Sequence, residues 1–233
     1  MEMDLLRLQR ALDRVELVSG LGIPGRGQMC IMALVACLAG EGHTDQPRTA
    51  SPLIRGFAIP VNDEMPDAMR QRLKPFAPRI LGTNDGRDAE RAELLREMLV
   101  TQILPRARLR YGPAPLQARH PLRLVERVWH RMRRGEIRRR IDRLVEQSER
   151  GLRPGQEVQL AAATGRLLAL CARDASDSRE ADWYWGTAIT LLDRMCEVGA
   201  EIRTPPKIRA DRLEALGPAA YQRLTADGIA ATG

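Results

Sequence analysis

Aromatic side chains are scarce in this chain of 233 residues: Phe, Trp and Tyr together make up 3% of it. Sheet cores usually draw on aromatic and β-branched residues, whereas helices pack well with Ala and Leu, which are plentiful here. The shortage therefore argues for an all-α chain. Long apolar runs are missing too. No stretch approaches the roughly 20 apolar residues that a membrane-crossing helix needs. The N-terminus, MEMDLLRLQRALDRVELV, mixes acids and arginines among its leucines and does not read as a secretory signal. No membrane is expected as a partner, and a cytoplasmic location is. Lysine is confined to Lys74 and Lys207, so arginine carries the positive charge. The four cysteines, Cys30, Cys37, Cys171 and Cys196, fall inside helical patterns. On one helix Cys30 and Cys37 would stand about 10 Å apart. That is too far for a disulfide and poor spacing for zinc, so buried thiols are expected.

What the chain does have is helical periodicity. Leu5, Leu8, Leu12 and Val15 recur at steps of three and four residues, predicting a helix over 3–18. The loop that follows holds Gly20, Gly22, Gly25 and Gly27. In letters it fits a dinucleotide fingerprint, and it has the outer glycines of a P-loop. Both nucleotide readings fail on context. A helix is expected where the fingerprint needs a strand, and Gln28 and Met29 stand where a P-loop needs Lys and Ser or Thr.

Residues 28–83 are the most sharply patterned stretch. Met29 to Ala39 is apolar nearly all round, so a helix there should be buried on most sides, and Gly40 suits a left-handed stop. Ser51 followed by Pro52 predicts the start of another helix, with Leu53, Ile54, Phe57, Ala58 and Val61 on one face. Pro60 should kink or shorten it, and Asn62-Asp63 should open a turn. Within this stretch, Cys30-Ile31-Met32, Ala39-Gly40-Glu41, Asp45-Gln46-Pro47, Ser51-Pro52, Asn62-Asp63 and Gly82-Thr83 resemble an uncharacterised bacterial all-helical domain family, met mainly in high-GC genomes. The resemblance covers about a quarter of the chain. It implies helical structure and brings no activity or site residues.

Glu41, His43 and Asp45 place three potential ligands within five residues. Together with Asn62 and Asp63 they could serve acid–base or metal chemistry. The chain has no H-E-x-x-H, no G-x-S-x-G and no Cys–His pair at a recognisable spacing. Turn and cap work is the preferred reading of His43, Thr44, Asp45, Ser51, Asn62 and Asp63. Neither a metal nor a cofactor is expected. On this reading, losing Asp45 should cost about 1 kcal/mol, the usual worth of a cap or buried hydrogen bond.

Further along, a helix is expected over 87–104 with Leu94, Leu95, Met98 and Leu99 inward, charges outward, and Pro105 as its stop. Prolines 113, 115 and 121 mark 106–121 as a basic connection between a helical domain over 1–105 and another over 122–233. In the second, Leu122, Val125, Trp129 and Met132 and then Ile137, Ile141, Leu144 and Val145 form apolar runs with Gly135 between them. Helices over 156–173 and 180–198 and two short ones within 205–224 complete a bundle-like set of roughly eight to ten. Trp183 and Tyr184 point about 100° apart on a helix, so one of them should lie at a boundary.

Charge is distributed unevenly. Arg106 to Arg140 holds twelve arginines against Glu126 and Glu136. That stretch is net +10 in a chain of net +7, which leaves −3 for the rest. Arg123, Arg127, Arg131, Arg134 and Arg138 share one helical face, with Arg139 beside them. Such a row suits an acidic protein patch or a phosphate backbone. The expectation is a non-catalytic interaction protein, a regulator or adaptor, with an anion-binding face. Direct nucleic-acid binding is the alternative, although no recognition motif or interleaved aromatics support sequence readout. An enzyme built on His43, Asp45 and Asp63 is the third reading. Oligomeric state stays open.

Overall fold

Helix α2 (Ile31–Ala39) lies in the interior, with every residue from Ile31 to Leu38 buried. The computed structural model describes residues 2–112, 124–150, 155–203, 208, 209 and 212. Around α2 stand α1 (Glu2–Asp13), α3 (Pro52–Glu64), and the short α4 (Asp67–Arg70) and α5 (Ala77–Ile80), joined by a 3-10 turn over Gln71–Phe76. Next come α6 (Asp88–Met98) and α7 (Leu104–Tyr111), then α8 (Leu124–Arg150), α9 (Glu157–Arg173) and α10 (Ser178–Glu197). The class is all-α. Among the described residues no helix is long and apolar enough to cross a membrane, and all four cysteines are buried and outside any disulfide.

The first helix is shorter than its apolar spacing predicts. It ends at Asp13, and Glu16–Leu17 (β1) pairs in parallel with Gln28–Met29 (β2). Two-residue strands suffice because the glycine loop folds back tightly between them. Gly22 has φ +80°, and a Cβ there would stand 2.5 Å from the Gln28 carbonyl oxygen, so only glycine fits. A strand thus does precede the glycines, but the loop returns to β2 instead of opening a helix. That is the wrong topology for a dinucleotide site.

Two prolines are absorbed inside helical segments. Pro60 sits within α3, which continues through Asn62 and Asp63 to Glu64. The backbone bond lost at Pro60 is set against burial of its ring on α9. Pro105 falls in the first turn of α7, where a missing N–H is tolerated. Between α6 and α7 the chain makes a π turn over Leu99–Ile103, with the Leu104 N–H donating to the Leu99 carbonyl. Helical winding therefore continues past the expected stop, and Ala107 and Tyr111 are buried. The remainder of the expected connection, 113–121, lies outside the described residues, as do most of 204–233 with the short helices expected there. Gly135 does not divide α8, which is one helix of 27 residues. Ile137, Ile141 and Leu144 are buried, whereas Met132 is 67% exposed although its spacing predicts an inward position.

The tightest helix–helix contact is α3 against α9. A Cβ on Gly165 would stand 2.8 Å from the Phe57 carbonyl oxygen and 3.2 Å from Pro60 Cγ, and one on Gly56 would stand 2.9 Å from Val158 Cγ1. Both glycines are required by close approach and not by backbone angle. One contiguous apolar cluster takes in Leu53, Phe57 and Val61 of α3 and Leu160, Leu167 and Leu168 of α9, along with α2, α6 and α10. Gly165→Ala should lower stability by about 1–3 kcal/mol, the usual cost of overpacking. Urea unfolding measures it, and an unchanged midpoint would mean that α3 and α9 are free to separate.

Candidate functional site

The polar residues of 41–63 do not converge on one point. Glu41 accepts from the backbone N–H groups of Arg48 at 2.6 Å and Thr49 at 3.2 Å, closing the loop after α2. Thr44 Oγ1 accepts from the Gln46 N–H. The His43 ring donates from Nε2 to the Gly22 carbonyl at 3.4 Å, tying that loop to the glycine turn. Burial holds the imidazole below its ordinary range, against the opposing pull of the Gly22 carbonyl and the Asp45 carboxylate. His43 is therefore neutral near pH 7.

Asn62 and Asp63 act from the far end of α3. Buried Asn62 accepts from the Ile31 N–H at 3.1 Å, satisfying a free donor at the start of α2, and donates to the Val18 carbonyl at 2.9 Å. Asp63 accepts from the Gly20 N–H at 2.8 Å. Ser51 caps α3 by accepting from the Ile54 N–H. Among the described residues no three His, Cys, Asp or Glu side chains are placed to hold a metal ion.

Ser51 leads instead to a charged cluster that local sequence does not reveal. Its hydroxyl donates to Asp88 at 2.5 Å, and its N–H donates to Thr83 Oγ1. Arg91, expected on the outer face of α6, is completely buried. It donates to both carboxylate oxygens of Asp85 at 2.6 and 2.7 Å, to Asp88, and to the carbonyls of Met195 and Val198 beside the end of α10. Arg203 also reaches Asp85 and the Val198 carbonyl. A guanidinium with this many acceptors is a fastener for α3, α6 and α10, with no donor left facing a ligand. Burial alone would raise the Asp85 carboxyl, but hydrogen bonds from Arg91 and the Arg87 N–H, with the charges of Arg91 and Arg203, outweigh it and bring it to about 2.

Free charge lies on α8. Residues 132–143 carry six arginines against Glu136 and Asp142. Of the expected row, Arg134 is turned onto α7: it donates to the Arg110 carbonyl at 3.0 Å and lies over the Tyr111 ring. Arg138 and Arg139 are exposed. Arg123 lies outside the described residues, as do the side chains of Arg127 and Arg131. Among the described residues Arg133, Arg138 and Arg139 have no carboxylate partner.

Sequence spacing also misses a cleft of about 600 Å³ between α8 and the end of α9, lined by Met132, Arg133, Glu136, Arg139, Leu170 and Arg173. A second hollow of about 390 Å³ shares Glu136 and Leu170 with it and reaches α3 at Ile59, Pro60, Asp63 and Glu64. Together they make a groove across three helices, with Leu170 in its wall. Two ion pairs brace it, Glu136 with Arg140 at 2.9 Å and Glu64 with Arg173.

Two outcomes follow from this geometry. Asn62→Ala should destabilise by about 1–3 kcal/mol, because it strands buried backbone groups. Asp45→Ala should change stability by no more than about 0.5 kcal/mol, because among the described residues Asp45 makes no hydrogen bond; denaturant titration of the two variants checks both. Asp85, held below the ordinary carboxylate value of about 3.9, contributes stability that is present above pH 4 and lost as pH falls toward its folded value. The stability difference between wild type and Asp85→Asn should therefore shrink from pH 7 to pH 3, and a constant difference would deny Asp85 that role. Comparison with known proteins finds no matching family model, curated protein or solved structure, so the functional reading rests on α8 and the groove beside it.

Proposed function

We propose that this protein is a non-catalytic helical interaction protein, a regulator or adaptor, that docks on an acidic surface of a partner protein through α8. The observation that carries this reading is the set Arg133, Arg138 and Arg139, exposed on one helix without a carboxylate partner among the described residues. Arg91, Arg87 and Arg96 show the contrast, each bonded to carboxylates of its own chain. A guanidinium that is always charged and presents a planar fork suits carboxylate recognition. Charge complementarity of this kind raises the association rate and excludes unlike partners more than it adds raw affinity. Catalysis draws no support from the cluster around His43, whose members bond to separate backbone groups.

Direct binding of nucleic acid is the second reading, favoured by the excess of arginine over acid in 132–143. The two separate in one experiment on the full chain, with a fluorescent glutamate-rich peptide and a short DNA duplex titrated at two salt concentrations. Changing Arg133, Arg138 and Arg139 to Ala should weaken peptide binding roughly tenfold or more at low salt and leave the fold intact. If DNA is the true ligand, the same variant should instead lose about one unit of salt slope for each lost phosphate contact. Unchanged binding of both probes would reduce the row to a solvated face.

A further inference from the structure

Gly135 is the least explained residue of α8. Glycine inside a helix is less favourable than alanine, and close approach of the backbone to a neighbour is one reason for it to stand there. At Gly56 and Gly165 that neighbour is visible. At Gly135 a Cβ would meet nothing within 4 Å among the described residues, so no described neighbour requires it. Its bare backbone instead forms part of the cleft wall, between Met132 and Arg139.

Three further features of the same groove point one way. Met132 is 67% exposed at the lip and Leu170 lies in the wall, so an apolar strip is open there. Arg133 and Arg139 stand beside that strip without carboxylate partners among the described residues. Glu64 and Glu136 stand in the groove paired with Arg173 and Arg140, so its charge is a patchwork of acid and base and not a continuous cationic track. A uniform polyanion such as a phosphate backbone would meet those two carboxylates as well as the arginines. A ligand with spaced carboxylates around an apolar anchor fits such a patchwork better, and discrimination of this kind is how interfaces reject wrong partners.

We infer that the groove between α8, α9 and α3 seats an acidic amphipathic helix of a partner protein. The partner's apolar residues, spaced at three and four, enter the strip at Met132 and Leu170. Its flanking carboxylates take the forks of Arg133 and Arg139, and its backbone closes on Gly135. A cleft of about 600 Å³ holds a few side chains of such a helix and matches the helix-in-groove mode of recognition. This rests on the reading of α8 as a docking face and goes beyond it by naming the occupant.

Fluorescence anisotropy on the full chain tests it with four probes. They are a helical peptide with leucines at three- and four-residue steps flanked by glutamates, a permuted peptide of the same composition, a polyglutamate peptide and a short DNA duplex. The amphipathic peptide should bind roughly tenfold more tightly than its permuted control. Gly135→Leu, which fills the wall, and Met132→Ser, which removes the apolar lip without changing charge, should each weaken it about tenfold. Neither change touches the core, and Gly135→Leu should leave the thermal midpoint unchanged or raise it. If all three peptides bind alike and neither variant matters, the amphipathic occupant is wrong while docking of acidic partners on α8 stands. If no peptide binds at low salt, or DNA outcompetes all of them, both readings fall.

Discussion

Where α3 meets α9 the two backbones approach so closely that a methyl group at Gly56 or Gly165 would collide with the opposite helix. The groove beside α8 depends on this contact. The contact brings residues more than a hundred positions apart into one apolar cluster and sets the depth of the core between α2 and α10. It also sets how far Glu64, at the end of α3, stands from Arg173, at the end of α9. Because α8 packs on α9 as well, the groove is a by-product of this packing, its walls fixed by the interior of the fold.

Arginine does two opposite jobs here. Arg91 and Arg203 face inward, where unpaired charge is expensive; every donor group of Arg91 meets Asp85, Asp88 or a carbonyl that closes α10, whereas Arg203 engages Asp85 and the Val198 carbonyl and leaves its Nε without a partner among the described residues. That arrangement locks the start of α3 to the start of α6 and the end of α10, and it makes part of the stability acid-sensitive. Arg106 adds a softer tie by stacking on Trp183 at 4.6 Å from the ring, and Arg110 joins α7 to α10 through Glu180. Along α8 the same residue type stands exposed on a long helix. The difference is one of supply: the interior provides carboxylates and carbonyls, and α8 offers Arg133, Arg138 and Arg139 none among the described residues.

The proposed docking mode follows from the mixture of features in the groove more than from net charge. An arginine row alone would serve any polyanion. The exposed Met132, the bare backbone at Gly135 and the resident carboxylates Glu64 and Glu136 narrow the fit to a ligand that is part apolar, part acidic and helical in spacing.

The sequence by itself determined the helical class and most helix positions, because three- and four-residue apolar spacing and local punctuation need no distant partner. Ser51 and Pro52 start α3, Gly40 ends α2, and Leu53, Ile54, Phe57 and Val61 face inward as their spacing requires. The excess of arginine over acid in 106–140 was legible in the same way. Tertiary structure alone decided the rest. Pro60 survives inside a helix because α9 covers its ring, and a π turn lets the helix run on into Pro105. Asn62 finds its partners at Ile31 and Val18, far along the chain, where no periodicity can point. Arg91 looks like any surface arginine until Asp85 and the end of α10 are folded around it. Arg133, Arg139 and Arg173 come to line one cleft only when α8 lies against α9, since helical spacing ranks residues on one helix and is blind to what a second helix brings beside them.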